Sequence, residues 1–249
     1  MRTSCLRRTV IGWFVGLAAL AMGADVKSII ARHLEAVGGV EKLKQIKAMH
    51  IRAKGIFQGM EMPMRLWYKR PNRVRFEMDF QGQTMVQAYD GEKAWWIMPF
   101  VSGPNPQAMP EEEAKRFRHE GREFPSPFLN YGEKDYRFEL VGEEDLEGTP
   151  VYRLRMTRPD GTKVDFFIDE ETALILKQRV ETTYQGQNVI AETVFGDYQA
   201  VEGLVMPFSI QTYVNGRLVN TMVIEEININ IKVDDALFQM PSPAPSKGQ

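Results

Sequence analysis

Three histidines and a scatter of carboxylates are what this 249-residue chain offers for acid–base or metal chemistry, and their spacing forms no catalytic set. His119-Glu120 begins like a helical zinc-protease motif, which needs a second histidine four residues after the first so that both imidazoles share one face. Glu123 holds that place. The acidic pairs Glu143-Glu144, Asp169-Glu170 and Asp234-Asp235 lie beside turn residues, where solvated charge is the ordinary reading. No nucleophile elbow, phosphate-binding glycine loop or calcium loop is present. The expectation is a protein that is not an enzyme and uses neither metal nor cofactor. Arg70 offers chemistry of another kind. It precedes Pro71, so its backbone is held extended, and its guanidinium has five donors that can grip several carbonyls together. A solvated arginine at a turn is the plainer alternative.

These groups must be positioned by strands. From Glu61 to Phe100 the side chains alternate: Met62, Met64, Leu66 and Tyr68, then Val74, Phe76, Met78 and Phe80, fall on one parity. Pro63, Arg65, Arg73, Arg75, Glu77 and Asp79 fall on the other. Successive strand residues point to opposite faces, so the pattern describes an antiparallel meander with one apolar and one wet face. Turns are expected at Arg70-Pro71-Asn72, Gln81-Gly82-Gln83 and Asp90-Gly91-Glu92. A face rich in methionine and aromatics adapts to several partner shapes. Ordinary core and a lipid-accepting concave surface both satisfy it.

Residues 1–23 carry Arg2, Arg7 and Arg8, an uncharged run from Thr9 to Met22, and small residues before Ala24. This describes a signal peptide cleaved near Gly23, with a retained membrane anchor as the alternative. Cys5 precedes the apolar run, so the mature chain is expected to be unlipidated and free of cysteine. Three of the 31 basic residues lie in the leader, leaving 28 against 33 acidic ones and a formal charge of −5. That disfavours nucleic acid and adsorption to anionic membrane. Asp25 to Val37 places Val26, Ile29, Ile30, Leu34 and Val37 on one helical stripe that stops at Gly38-Gly39. Val40, Leu43 and Ile46 mark a second short helix. The proline-rich stretch 101–131, with a helical patch at 111–118 and an apolar knot of Phe124, Phe128 and Leu129, is either a lid or a disordered linker. The knot favours a lid. Strands resume from Asp135 and bring the total to about 11–12, a sheet that must curl, split or close. Residues 24–240 are expected to form one domain, and 241–249 a disordered tail.

Four stretches in order resemble the LolA family of periplasmic outer-membrane lipoprotein carriers. They are Trp67-Tyr68-Lys69-Arg70-Pro71-Asn72, then Asp90-Gly91 with Trp95 and Pro99-Phe100-Val101, then Ser126-Pro127-Phe128-Leu129, and finally Val233-Asp234-Asp235-Ala236-Leu237-Phe238 ahead of Pro241. The resemblance implies a mainly β fold with an α lid: a curved antiparallel sheet forming an incomplete, half-open β-barrel covered by short helices, with acyl chains bound inside. It implies a monomer in the periplasm that takes acylated lipoprotein or lipid cargo from an inner-membrane release complex to an outer-membrane acceptor. It also implies that Arg70 gates the lid through bonds to lid backbone, that Phe128 and Leu129 pack over the cavity, and that Trp67, Tyr68, Trp95 and Phe100 line or buttress the mouth. Relatives with this fold also sense envelope stress by binding a membrane partner, which is the alternative. The hairpin around Gly203 to Asn220 and the Gly38-Gly39 break depart from the compact carriers and leave the cargo open between lipoprotein, lipid and glycolipid.

Overall fold

The computed structural model describes residues 25–184 and 187–242. The expected leader at 1–23 and residues 243–249 of the expected tail lie outside them. The described residues begin with two helices, α1 (Val26–Ala36) and α2 (Val40–Gln45). Six strands follow: β1 (Ala48–Phe57), β2 (Met60–Lys69), β3 (Arg73–Phe80), β4 (Gln83–Tyr89), β5 (Ala94–Met98) and β6 (Gly103–Ala108). Helix α3 (Glu111–Arg122) and a 3-10 turn (Pro127–Asn130) lead to β7 (Arg137–Leu146), β8 (Thr149–Thr157), β9 (Lys163–Asp169), β10 (Ile175–Tyr184), β11 (Gln187–Val201), β12 (Leu204–Val214) and β13 (Arg217–Ile229).

The thirteen strands of the described residues form one antiparallel sheet in the order β6-β5-β4-β3-β2-β1-β13-β12-β11-β10-β9-β8-β7. Two meanders, each pairing chain neighbours, are joined where β1 meets β13. The outermost strands β6 and β7 are therefore consecutive in the chain yet at opposite edges of the sheet. The connection carrying α3 and the 3-10 turn has to cross from one edge to the other. The strand count exceeds the expected 11–12 because β6 lay hidden in the proline-rich stretch. Pro104 and Pro106 sit in an edge strand, where a missing N–H breaks no ladder between neighbours on both sides.

Curvature follows from the packing. Strands β2 and β8 are seven steps apart, about 34 Å along a flat sheet at ~4.8 Å per step. Nevertheless Met64 and Leu66 of β2 share one buried cluster with Leu154 and Met156 of β8, around Ile29, Ile30 and Leu34 of α1. Only a trough wrapped around the helices brings them together, so the sheet is a half-open barrel rather than a closed one. Its inner face is set by register: Tyr68, Leu66, Met64 and Met62 stand opposite Met49, Ile51, Ala53 and Gly55, which in turn face Ile229, Ile227, Ile224 and Met222. The outer face is charged. Arg65 Nε donates to Glu77 Oε2 at 2.9 Å and Arg65 Nη1 to Asp79 Oδ2 at 2.7 Å, and Arg52 pairs with Glu226 at 2.5 Å.

Helix α1 starts where the Asp25 carboxylate accepts from the Ser28 N–H at 2.8 Å, and it buries Ile29, Ile30, His33 and Leu34 against the sheet. The chain then reverses through Gly38, at φ +123°. A Cβ there would lie 2.8 Å from the Gly203 carbonyl oxygen, so glycine permits both the turn and the close approach to the β11–β12 turn.

Candidate functional site

The eight alternating residues of the meander converge as the pattern predicts. Cross-strand pairs Met64–Met78, Leu66–Phe76 and Tyr68–Val74 place them on the concave face, and Phe80 extends the row opposite Gln83. Met62, Met64, Leu66 and Val74 are buried, whereas Tyr68, Phe76, Met78 and Phe80 are only half-buried. Phe100 lies just beyond β5, 46% exposed, and meets Phe80 edge-on at 5.3 Å on the rim.

Trp67 and Trp95 are corrected. Both occupy the opposite parity and lie on the outer face, away from the mouth. Trp67 stacks on His50 at 4.7 Å. Trp95 is 1% exposed because the C-terminal segment straps over it: its Nε1 donates to the Phe238 carbonyl at 2.7 Å, and Arg75 covers the ring at 5.4 Å. Lys69 and Arg73 hold the same strap through Asp235, at 2.6 and 3.3 Å. Arg70 also differs from expectation. Its Nε donates to the Ile46 carbonyl at 2.9 Å, at the end of α2, and among the described residues it makes no hydrogen bond to the 101–131 segment. The turn that carries Arg70 lies against α2, so its reach falls there.

What clasps the crossing segment, Tyr68 and Phe124 apart, are residues to which sequence reasoning gave no part in a lid. Phe117 and Ala114 of α3 are buried against Val74, Tyr89 and Ala94. At the C-terminal end of α3 the contacts divide between the two meanders. On one side Tyr68 Oη donates to Glu120 Oε1 at 2.6 Å, and Phe124 stacks on the Tyr68 ring at 5.1 Å. On the other side Arg158 donates twice to the Glu123 carboxylate, at 2.6 and 2.7 Å, and His119 Nε2 meets Asp160 Oδ2 at 3.0 Å. Burial alone would raise the Asp160 carboxyl, but the Thr162 N–H and His119 outweigh it and hold its pKa at about 2. The trio His119, Glu120 and Glu123 thus points to two different neighbours. Beyond the clasp, Phe128 is 1% exposed, wedged between His33, Phe138 and Phe166, with Leu129 half-buried beside it.

Helix α3 also approaches the Arg70–Arg73 turn at Gly121, where a Cβ would lie 2.2 Å from the Asn72 carbonyl oxygen. Backbone oxygen cannot retreat as a flexible side chain would. Gly121→Ala is expected to lift α3 and to lower stability by about 1–3 kcal/mol in urea titration, despite a helix-propensity gain of up to ~1 kcal/mol.

Between α1, the 3-10 turn and the inner face of β9–β12 lies an apolar cavity of about 220 Å³, lined by His33, Ile46, Met49, Phe166, Phe195 and Met206 among others. His33 Nδ1 lies 2.8 Å from the Ala173 carbonyl, which requires that nitrogen to carry the proton. Burial lowers its pKa to about 4, only partly countered by this bond, so the ring is neutral at pH 7. Below pH 6.5 the unfolded chain takes up a proton that the folded one refuses. Stability should therefore fall by about 3 kcal/mol between pH 6.5 and 4 through this group, and be independent of it above pH 6.5. A His33→Leu variant is expected to lose that part of the slope in urea titrations across pH, whatever its stability at pH 7.

No family model matches the sequence, and no curated protein matches it. Solved structures do. A DUF1329 family protein from Desulfovibrio piger superposes with TM-score 0.60 at 12% identity, over 87% of this chain and 98% of that one. A LolA superfamily protein from Nitrosomonas europaea gives 0.56 at 14% identity, over 87% and 98%. A domain named for outer-membrane lipoprotein sorting, from Vibrio parahaemolyticus, gives 0.56 at 12%, over 84% and 94%. The chain therefore shares its half-open barrel fold with these proteins along nearly their full length. At such identities the likeness is one of fold, and it agrees with the motif resemblance at that level.

Proposed function

We propose that this protein is a periplasmic carrier that shields the acyl chains of lipoproteins or other lipids in its trough and releases them to an acceptor at the outer membrane. The observation that carries this reading is the extent of the apolar inner face. Phe76, Met78, Val180, Phe208, Ile210 and Met222 continue the core surface but remain only partly buried. An apolar face left half-covered suits a surface that receives something.

The cavity of about 220 Å³ is smaller than the ~300–1,000 Å³ usual for ligand pockets, so a whole acyl chain is accommodated by displacing its cover. The cover suits this. It crosses between two sheet edges that do not pair, and a few polar contacts clasp it. Each methylene removed from water contributes about 0.8 kcal/mol, so a chain of ordinary length can displace several such contacts. Arg70 fixes the end of α2, and with it one wall of the cavity.

The test is native mass spectrometry with lipid extraction on protein purified from periplasm without detergent. Bound acylated species, or uptake of an added dipalmitoyl lipopeptide, support the carrier. A clean apo mass without uptake overturns it in favour of a protein-binding sensor.

A further inference from the structure

Arg70 opens onto a second concavity, distinct from the apolar one. The ends of the adjacent strands β2, β1 and β13 enclose an open groove of about 670 Å³, running from Lys47 and Ala48 past Lys69 and Arg70 to Lys232 and Asp234. Four cations and one carboxylate line it, a local charge of +3 on a chain whose net charge is −2. The carboxylate is occupied, since Asp234 caps the Ala236 N–H at 2.9 Å. Lys69 is partly used, donating to the Val233 carbonyl and to Asp235 at 2.6 Å each. Among the described residues Lys47, Arg70 and Lys232 are in no ion pair. Arg70 is the most telling: Nε is spent on Ile46, while Nη2 is buried without any protein partner. A buried donor left unpaired is unfavourable, the more so when it is charged, so the position calls for an acceptor. A guanidinium flanked by two ammonium groups matches the oxygens of a phosphate group.

The groove adjoins the apolar cavity along residues 46–49: Lys47 and Ala48 line the groove, Ile46 and Met49 the cavity. The Ile46 side chain lines the cavity, and its carbonyl accepts from Arg70 in the groove. We infer that the groove holds the anionic, phosphate-bearing headgroup of an amphiphile whose acyl chains occupy the trough. This rests on the carrier reading and narrows its ligand to anionic lipids. It does not require adsorption to a charged membrane, because one headgroup is recognised by one groove. Headgroup oxygens binding Arg70 would also compete with the Ile46 carbonyl for the guanidinium, loosening α2 where the tail must enter.

The experiment compares dioctanoyl phosphatidylglycerol with dioctanoylglycerol, identical in tails and differing in the phosphoglycerol group, and adds inorganic phosphate alone, by isothermal titration on the whole protein. The phosphate-bearing lipid should bind at least about tenfold more tightly, and Lys47→Gln/Lys232→Gln should erase most of that preference while leaving dioctanoylglycerol binding unchanged. Both lysines are exposed, so folding is not at issue. Arg70→Gln should erase the preference too. Equal binding of the two lipids overturns the headgroup site and leaves the carrier standing. Binding of neither lipid overturns both, and binding of inorganic phosphate with neither lipid reassigns the groove to the free ion.

Discussion

Replacing Glu123 by leucine is expected to destabilise the protein by about 3–5 kcal/mol. Both partners are nearly out of water, with side-chain exposures of 9% for Glu123 and 12% for Arg158, and the guanidinium makes two parallel bonds to the carboxylate. Deleting the carboxylate strands a desolvated guanidinium, which costs far more than the pair contributes when intact. The double variant Glu123→Leu/Arg158→Met leaves no buried charge and should recover most of the loss, so a double-mutant cycle in urea gives a coupling of the size expected for groups in contact. An exposed pair such as Lys115–Glu112, at 42% and 65%, is the comparison and should change stability by less than about 1 kcal/mol when broken. Since the pair joins the end of α3 to the β8–β9 turn, amide exchange in 111–131 should accelerate in the single variant before the sheet opens. A single variant within ~0.5 kcal/mol of the parent would remove Glu123 from the clasp.

The legible part of this molecule was what depends on period alone. Met62 to Phe80 alternate strictly, each strand is wet on one side, and so the faces could be assigned before any contact was known. The same rule places Trp67 outward, next to the inward Tyr68. The motif resemblance put both at the mouth, and the alternation was the better guide. Trp95 was not readable in this way. Its burial depends on a strap whose Phe238 lies 143 residues further on. Strand β6 was masked by Pro104 and Pro106, which weaken a strand signal everywhere except at an edge, and edges are a property of topology. The clasp stayed hidden for a related reason. His119, Glu120 and Glu123 were visible as an incomplete metal motif, but their partners Tyr68, Arg158 and Asp160 come from opposite meanders that meet only once the sheet has curled. Arg70 was expected to grip the 101–131 segment, whereas the carbonyl it grips, that of Ile46, was set by where α2 ends.

Phe128→Ala should cost about 3–5 kcal/mol, lowering the melting temperature by roughly 10 °C for a domain of this size. The ring is 1% exposed and meets three others edge-on: His33 at 4.9 Å, Phe166 at 4.9 Å and Phe138 at 6.0 Å. It therefore ties the crossing segment to α1, β9 and the edge strand β7 at once, and no neighbour on the rigid sheet can collapse to refill its space. The void would open beside Pro127 and Phe166, which already line the apolar cavity. Loss of the ring thus enlarges the space proposed for acyl chains while weakening the cover above it. Two results follow together. The apo variant is much less stable than the parent, and it regains more stability than the parent does on adding dioctanoylglycerol. The parent must displace the ring that the variant lacks. Saturation at ~100 times the dissociation constant returns about 2.7 kcal/mol, enough to offset most of the deficit. Differential scanning calorimetry with and without the lipid reads both. A large loss without lipid rescue would make Phe128 a core residue unrelated to the trough, whereas rescue beyond the parent's joins the lid and the cavity in one mechanism.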